Sequence, residues 1–213
     1  MTASDAPTRR KSVIRRVTVF FDGQNFYRNA RRAFFDDQSS SSRLGQFWPR
    51  AVAELIVRRY DDRELRDVRV YYGRPDRTRD VRGHAANARQ SVAWSRSGVQ
   101  VRPRMLRYPA DWPASPAHEK GVDVALATDL VSLTLRGECD VAVIASADSD
   151  ILPAIEEVQI RTDVTIEVAA WQSVSRRRRQ RLSVPGSNVW CHWLSRADYE
   201  RVRDDTDYTI GRV

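Results

Sequence analysis

Hydrophobic positions in this chain fall into short solid runs. Longer stretches separate them, in which apolar residues return every three or four positions. Val17-Thr18-Val19-Phe20-Phe21 is the first run, β-branched and aromatic, and it stops at Asp22-Gly23. Val68 to Tyr72 is the second, closed by Gly73 and Pro75. Val99-Gln100-Val101, Asp140 to Ala145, Val164 to Ala170 and Val189 to Leu194 follow. Such runs predict strands, most of them buried on both faces. Helices are predicted between them, from about Asn25 to Phe35, Trp48 to Tyr60, 79 to 96, Lys120 to Arg136 and Asp148 to Gln159. The fourth is the clearest, with Val122, Leu126, Leu130 and Leu133 on one stripe and Gly137 as its stop. Asp36 to Ser42 and the proline-rich stretch from Pro103 to Pro116 carry no periodicity and read as loops.

Strands that alternate with helices predict an α/β fold of three layers, α/β/α, around a central, mostly parallel sheet with right-handed crossovers. No internal repeat and no second domain are visible. The expected organisation is a disordered basic tail over 1–15, one domain over 16–195 and a C-terminal tail over 196–213.

Composition narrows the class. A chain of 213 residues with 41% apolar residues can bury its own core. Two cysteines, Cys139 and Cys191, build neither a disulfide framework nor a four-ligand zinc site, and both read as small buried side chains. A reducing, cytoplasmic setting is the expectation. No apolar stretch approaches the roughly 18 residues that a membrane span needs. The basic N-terminal residues are not followed by the apolar segment of a secretory signal.

The formal net charge is +8, and of 36 basic residues only Lys11 and Lys120 are lysine. Arginine pairs bidentately with phosphate and stacks on bases, which favours a nucleic-acid partner. An ordinary solvated surface explains the same composition equally well.

The acidic residues sharpen this. Asp22 follows the first strand directly, and Asp148 and Asp150 lie just past the fourth. In an open α/β sheet ligands gather at the carboxyl ends of the strands, where strand order reverses. If the first and fourth strands are neighbours, these three acids meet there, and Asp123, on the first turn of the preceding helix, reaches the same edge. Clustered carboxylates repel one another unless a cation neutralises them. Oxygen-only ligands select Mg2+ or Mn2+ over zinc. Such a site suits metal-assisted hydrolysis of a phosphodiester. Taken singly, each acid reads equally well as a helix cap or a first-turn residue.

Phe20-Phe21-Asp22-Gly23-Gln24-Asn25, Lys120-Gly121-Val122-Asp123 and Ser146-Ala147-Asp148-Ser149-Asp150, in this order, resemble the NYN domain family, a branch of the PIN-like nucleases. The resemblance spans about residues 17 to 170. It implies a PIN-like fold and a magnesium- or manganese-dependent nuclease, usually an endoribonuclease. It also implies that Asp22, Asp123, Asp148 and Asp150 hold metal. Asn25 supports the first aspartate or the substrate phosphate, Ser146 orients a carboxylate, and Lys120 faces phosphate or the neighbouring acids. Ala147 stands where glycine is common in the family, and Ile151 where an aromatic is common. Asp129 matches a position often acidic in the family, but its spacing from Asp123 turns it to another helix face.

Arg176, Arg177, Arg178 and Arg179 form the densest basic run and are expected to bind the phosphate backbone, or else to form a solvated loop. Arg74, Arg77, Arg79 and Arg82 are candidates for the other wall of a groove. Tyr71, Tyr72, Tyr108 and Trp112 are candidates for stacking on bases or for core and loop anchors, the second reading being preferred for Tyr71, and Trp190 and Trp193 read as packing residues. His84, His118 and His192 show no ligand spacing. RNA is the expected partner, with DNA not excluded. A non-catalytic RNA-binding module and a DNA-directed 5′ nuclease are the alternatives. Many PIN-like proteins pair up, so a homodimer is compatible with the resemblance, although no sequence feature marks an interface.

Overall fold

The computed structural model describes residues 13–35, 41, 43–173, 175 and 180–210. The expected N-terminal tail up to residue 12 and the run Arg176, Arg177, Arg178, Arg179 lie outside the described residues. Among the described residues, six strands alternate with six helices. In chain order they are β1 (Arg15–Asp22), α1 (Gly23–Phe34), α2 (Pro49–Val57), β2 (Arg63–Arg74), α3 (Val81–Arg96) and β3 (Gln100–Met105). Then follow α4 (Val122–Leu135), β4 (Val141–Ala145), a 3-10 turn at Ser149–Ile151, α5 (Leu152–Arg161), β5 (Thr165–Trp171), β6 (Trp190–Leu194) and α6 (Arg196–Val202).

The strands form one sheet in the order β3-β2-β1-β4-β5-β6. Every neighbouring pair is parallel. The central strands show why. Val17, Val19, Phe20 and Phe21 in β1 and all five residues of β4 are fully buried, so both faces need a helical cover. One face packs Phe21, Val68, Val70, Val143 and Trp171 against α1, α2 and α6. Its centre is aromatic, with the Phe26 ring 4.7 Å from Trp171 and 5.0 Å from Phe47. The other face packs Phe20, Ile144 and Val168 against Leu126, Leu130 and Ile155 of α4 and α5.

Three elements depart from the sequence pattern. β2 begins at Arg63 rather than Val68, because its first half pairs with Arg15 to Val17 through charged positions and absorbs Arg66 at a bulge. β3 runs on through Pro103 to Met105. An edge strand tolerates proline, whose missing N–H takes no ladder bond from the solvent side. The packed body also continues past residue 195, where a tail is expected. There Ser195 and Asp198 form a reciprocal capping box at the start of α6, and Tyr199, Val202 and Tyr208 are buried. Trp190, read as a packing residue, is 61% exposed, while Trp193 packs against the second core.

Candidate active site

β1 and β4 lie side by side, with Phe21 opposite Ala145. Asp22 and Ser146 therefore leave the sheet together. At this point strand order reverses, β2 and β3 lying to one side and β5 and β6 to the other. That geometry opens a crevice at the carboxyl ends of the strands.

Asp22 caps α1. One carboxylate oxygen accepts from the Asn25 backbone N–H at 3.1 Å, and the other accepts from the Ser146 hydroxyl at 3.3 Å. Its side chain is buried, and burial pushes its pKa up to about 6. The Asn25 amide offsets part of that rise, whereas the negative charges of Glu119 and Asp148 add to it.

Ser146 ties two aspartates together, since its oxygen also accepts from the Asp148 backbone N–H at 3.0 Å. Asp148 caps the 3-10 turn by accepting from the Asp150 N–H at 3.0 Å. Asp150 itself is exposed. The Asn25 carboxamide oxygen accepts from the Ala147 N–H at 3.0 Å and from Asn29 at 2.8 Å. Asn25 thus pins the start of α1 to the loop that carries Asp148.

α4 starts on Gly121, whose φ of +74° is left-handed, a conformation that glycine alone adopts freely. That turn sets Asp123 in the first helical turn. Just before it, Glu119 accepts from the Gly73 N–H at the end of β2. Burial pushes the Glu119 carboxyl up, the Gly73 amide and Arg28 pull it down, and Asp123 raises it again. Asp22 thus feels the charges of Asp148 and Glu119, and Glu119 feels that of Asp123, which links the four acids as a chain. Lys120 lies exposed beside it. Sequence pattern missed Glu119, which sits at the end of an aperiodic proline-rich stretch where only its position beside Lys120 points to a role.

A side chain at Gly73 would collide with both Leu106 and Glu119. Gly73→Ala is expected to lose about 1–3 kcal/mol of stability through overpacking. In a Glu119→Ala background the same change costs less, since one colliding group is gone. Equal losses by thermal denaturation in both backgrounds would assign the whole penalty to Leu106.

Asp129 is engaged elsewhere. It accepts from Arg69 at 3.0 Å and from the Tyr71 hydroxyl at 2.7 Å, and Tyr71 is a core residue. Tyr108 and Trp112 pack edge to face at 4.9 Å, and the Tyr108 hydroxyl accepts from the Asp76 N–H. Both anchor their loop. Arg74 donates to Asn87 and Ser91, so it is part of a wall rather than a free phosphate ligand. Among the described residues, His84 bonds to the Pro75 carbonyl, His118 through its backbone to Arg107, and His192 to Glu167, none of them one of the four acids. Cys139 and Cys191 are free and buried, and burial pushes both thiols up to about 11. No helix among the described residues is long and apolar enough to cross a membrane.

A family model for the NYN domain matches residues 16–182, from β1 to just short of β6. The chain belongs to the NYN domain family. That family is a branch of the PIN-like nuclease superfamily, and the six-stranded parallel sheet carries its nuclease fold here. Among solved structures, this NYN domain is similar to a Vibrio parahaemolyticus protein of unknown function. The TM-score is 0.50 at 17% identity, covering 75% of this chain and 83% of the other, and the likeness bears on the fold alone. No curated protein matches the chain.

The residues fit a hard divalent cation by donor chemistry, being carboxylate oxygens, two of which, Asp22 and Glu119, have proton affinities raised by burial. Among the described residues, no three His, Cys, Asp or Glu side chains stand close enough to cage an ion by themselves.

Proposed function

We propose that this NYN domain is a divalent-cation-dependent endoribonuclease, with Asp22, Asp148, Asp123 and Glu119 as its acidic centre and Asp150 at its solvent side. The observation that carries this reading is the chain of acids around Asp22, a buried carboxylate with a raised pKa at the switch point of the sheet. Burying such a group is unfavourable, and pKa values perturbed by burial and a specific charge partner mark functional sites.

Mg2+ or Mn2+, when bound, supplies neutralisation of the phosphate and a more acidic attacking water. The protein supplies position. Ser146 and the Asn25 amide fix the Asp22 carboxylate, and the Asp150 amide fixes Asp148. The Asn25 side chain keeps both aspartates at constant spacing. Groups that orient acids in this way are expected to matter almost as much as the acids. Lys120, Arg28 and the run Arg176, Arg177, Arg178, Arg179 are the candidates for holding the RNA backbone. The arginine-rich composition supports RNA as substrate.

The test is cleavage of single-stranded and structured RNA, beside matched DNA, with Mg2+, Mn2+ or EDTA. Wild type is expected to cut RNA only with a cation, and Asp148→Asn to fall by roughly 10²-fold or more with its RNA affinity kept. Equal cutting of DNA would reassign the substrate. RNA bound but left intact by wild type would make the domain a binding module.

A further inference from the structure

A cavity of about 200 Å3 lies between α1, the end of β2 and α3, and the chemistry proposed above does not use it. Its walls are mainly amides and rings, among them Gln24, Gln46, Asn87 and Gln90 with Tyr72 and Trp94. It adjoins a larger groove of about 720 Å3 that passes Glu119 and Arg28, and the two share Gln24, Asn87 and Gln90. Gly23 and Gly73 also line the cavity. Gly23 follows Asp22 directly, and the Gly73 N–H holds Glu119, so the acids and the cavity share a wall.

Size limits the occupant. Sites for drug-sized ligands run to roughly 300–1,000 Å3, so this one suits a single flat heterocycle rather than a whole nucleotide. The surface limits it further. Rings and carboxamides together recognise unpaired bases, the rings by stacking and the amides at the base edge. The strongest sign is Trp94. Its side chain is only 6% exposed, yet its indole N–H has no hydrogen-bond partner among the described residues. A buried donor left unpaired in a native fold calls for an explanation, and an absent ligand is one.

Polarity indicates which base. The Asn87 carbonyl is occupied by Arg74 at 3.0 Å, so its amide N–H groups are the part left to a ligand. The Tyr72 hydroxyl is engaged with Ser91. The Gln90 side chain has no hydrogen-bond partner among the described residues and presents either end of its amide. The Gln24 carbonyl likewise accepts from Arg28, so Trp94, Asn87 and Gln24 turn donors to the cavity against one buried acceptor, the Gln46 amide oxygen. Guanine presents O6 and N7 as acceptors and uracil presents O4, whereas adenine and cytosine place an amino group at the corresponding edge.

We propose that this cavity is a nucleobase subsite that takes one unpaired base of the substrate strand, beside the phosphate at the acids, and prefers guanine or uracil to adenine or cytosine. The proposal rests on reading the domain as an RNA nuclease, but its test requires no turnover. The full chain, labelled with 15N at tryptophan, is titrated in EDTA with GMP, UMP, AMP and CMP while the indole N–H resonances are followed. GMP or UMP is expected to shift one resonance, the one missing from Trp94→Phe, and to leave the remaining tryptophans in place. AMP and CMP bind at least about fivefold more weakly. Gln90→Ala, a partly exposed change that keeps the fold, weakens GMP and UMP by a similar factor without moving the melting temperature.

A Trp94 resonance unmoved by all four nucleotides at millimolar concentration overturns the subsite, as does unchanged binding in Gln90→Ala. Cleavage of RNA with no Trp94 response removes the subsite and leaves the nuclease standing. A keto-selective Trp94 response without any cleavage removes the nuclease and leaves the subsite.

Discussion

Asp22→Asn is expected to abolish the proposed RNA cleavage and, without divalent cation, to melt at a higher temperature than wild type. The exchange keeps the local bonds. An asparagine oxygen still accepts from the Asn25 amide, and its nitrogen donates to the Ser146 oxygen in place of accepting. What disappears is a buried negative charge. The Asp22 pKa is about 6 in the fold against 3.8 ordinarily. A group raised in this way contributes stability that is full below about pH 3.8 and lost as pH rises through about 6. Above pH 6 wild type therefore carries the whole penalty, about 2–3 kcal/mol at 1.36 kcal/mol per pKa unit. Removing it raises the melting temperature by ~5 °C or more at pH 8 for a domain of this size, and by almost nothing at pH 4. Added Mg2+ reverses the order, stabilising wild type through binding while leaving Asp22→Asn where it was. Scanning calorimetry at the two pH values, with and without Mg2+, reads all of this. A variant no more stable than wild type at pH 8 would refute the claim that Asp22 is strained by its charge.

Glu167→Ala has the opposite consequence and a larger one for stability. Glu167 is buried in β5, where it accepts from Arg63 through two bonds of 2.7 and 2.8 Å and lies 2.7 Å from the His192 ring nitrogen. Arg63 and Glu167 keep 7% and 5% of their side-chain surface exposed, and the guanidinium stacks 3.7 Å from the centre of the Tyr60 ring. Burial alone pushes the Glu167 carboxyl up. The bonds from His192 and Arg63 outweigh it and hold the pKa at about 2. Taking away the carboxylate leaves a buried guanidinium without its counter-charge, an outcome that costs about 3–5 kcal/mol. Replacing Arg63 and Glu167 together with methionines costs much less, because no charge is stranded. The depressed pKa also sets the acid limb. This contribution is intact above pH ~4.5 and fades as pH falls toward 2, so the gap between wild type and Glu167→Ala in urea narrows in that window. A loss below about 1 kcal/mol at pH 7 would contradict the buried network.

The parts of the fold legible in the sequence are those where burial leaves an unbroken apolar signal. β1 and β4 are buried on both faces, and their solid runs, each ending in an acid or a serine, locate the central crevice without further help. The first half of β2 is hidden because Arg63, Glu64, Arg66 and Asp67 look like a polar loop, although one of them makes the buried pair with Glu167. α6 is short, and only Ser195 and Asp198 signal it. At the site, Asp22, Ser146 and Asp148 follow from strand ends, whereas Glu119 becomes visible only once a loop folds back onto Gly73. The cavity is illegible for the same reason. Gln24, Asn87, Gln90 and Trp94 are scattered along the chain, and no spacing rule joins them before α1, β2 and α3 are packed together.

The Arg63–Glu167 pair joins β2 to β5, and β1 and β4 lie between those two strands. It therefore runs beneath the sheet like a strap, riveting together the halves that diverge at the switch point. Any spreading of the two halves would have to break this buried pair, at a cost of several kcal/mol. For the RNA nuclease proposed above, accommodation then falls to the rim, to the turn at Gly73–Pro75 and the long connection that delivers Glu119, and a single strand is expected to fit the crevice better than a duplex.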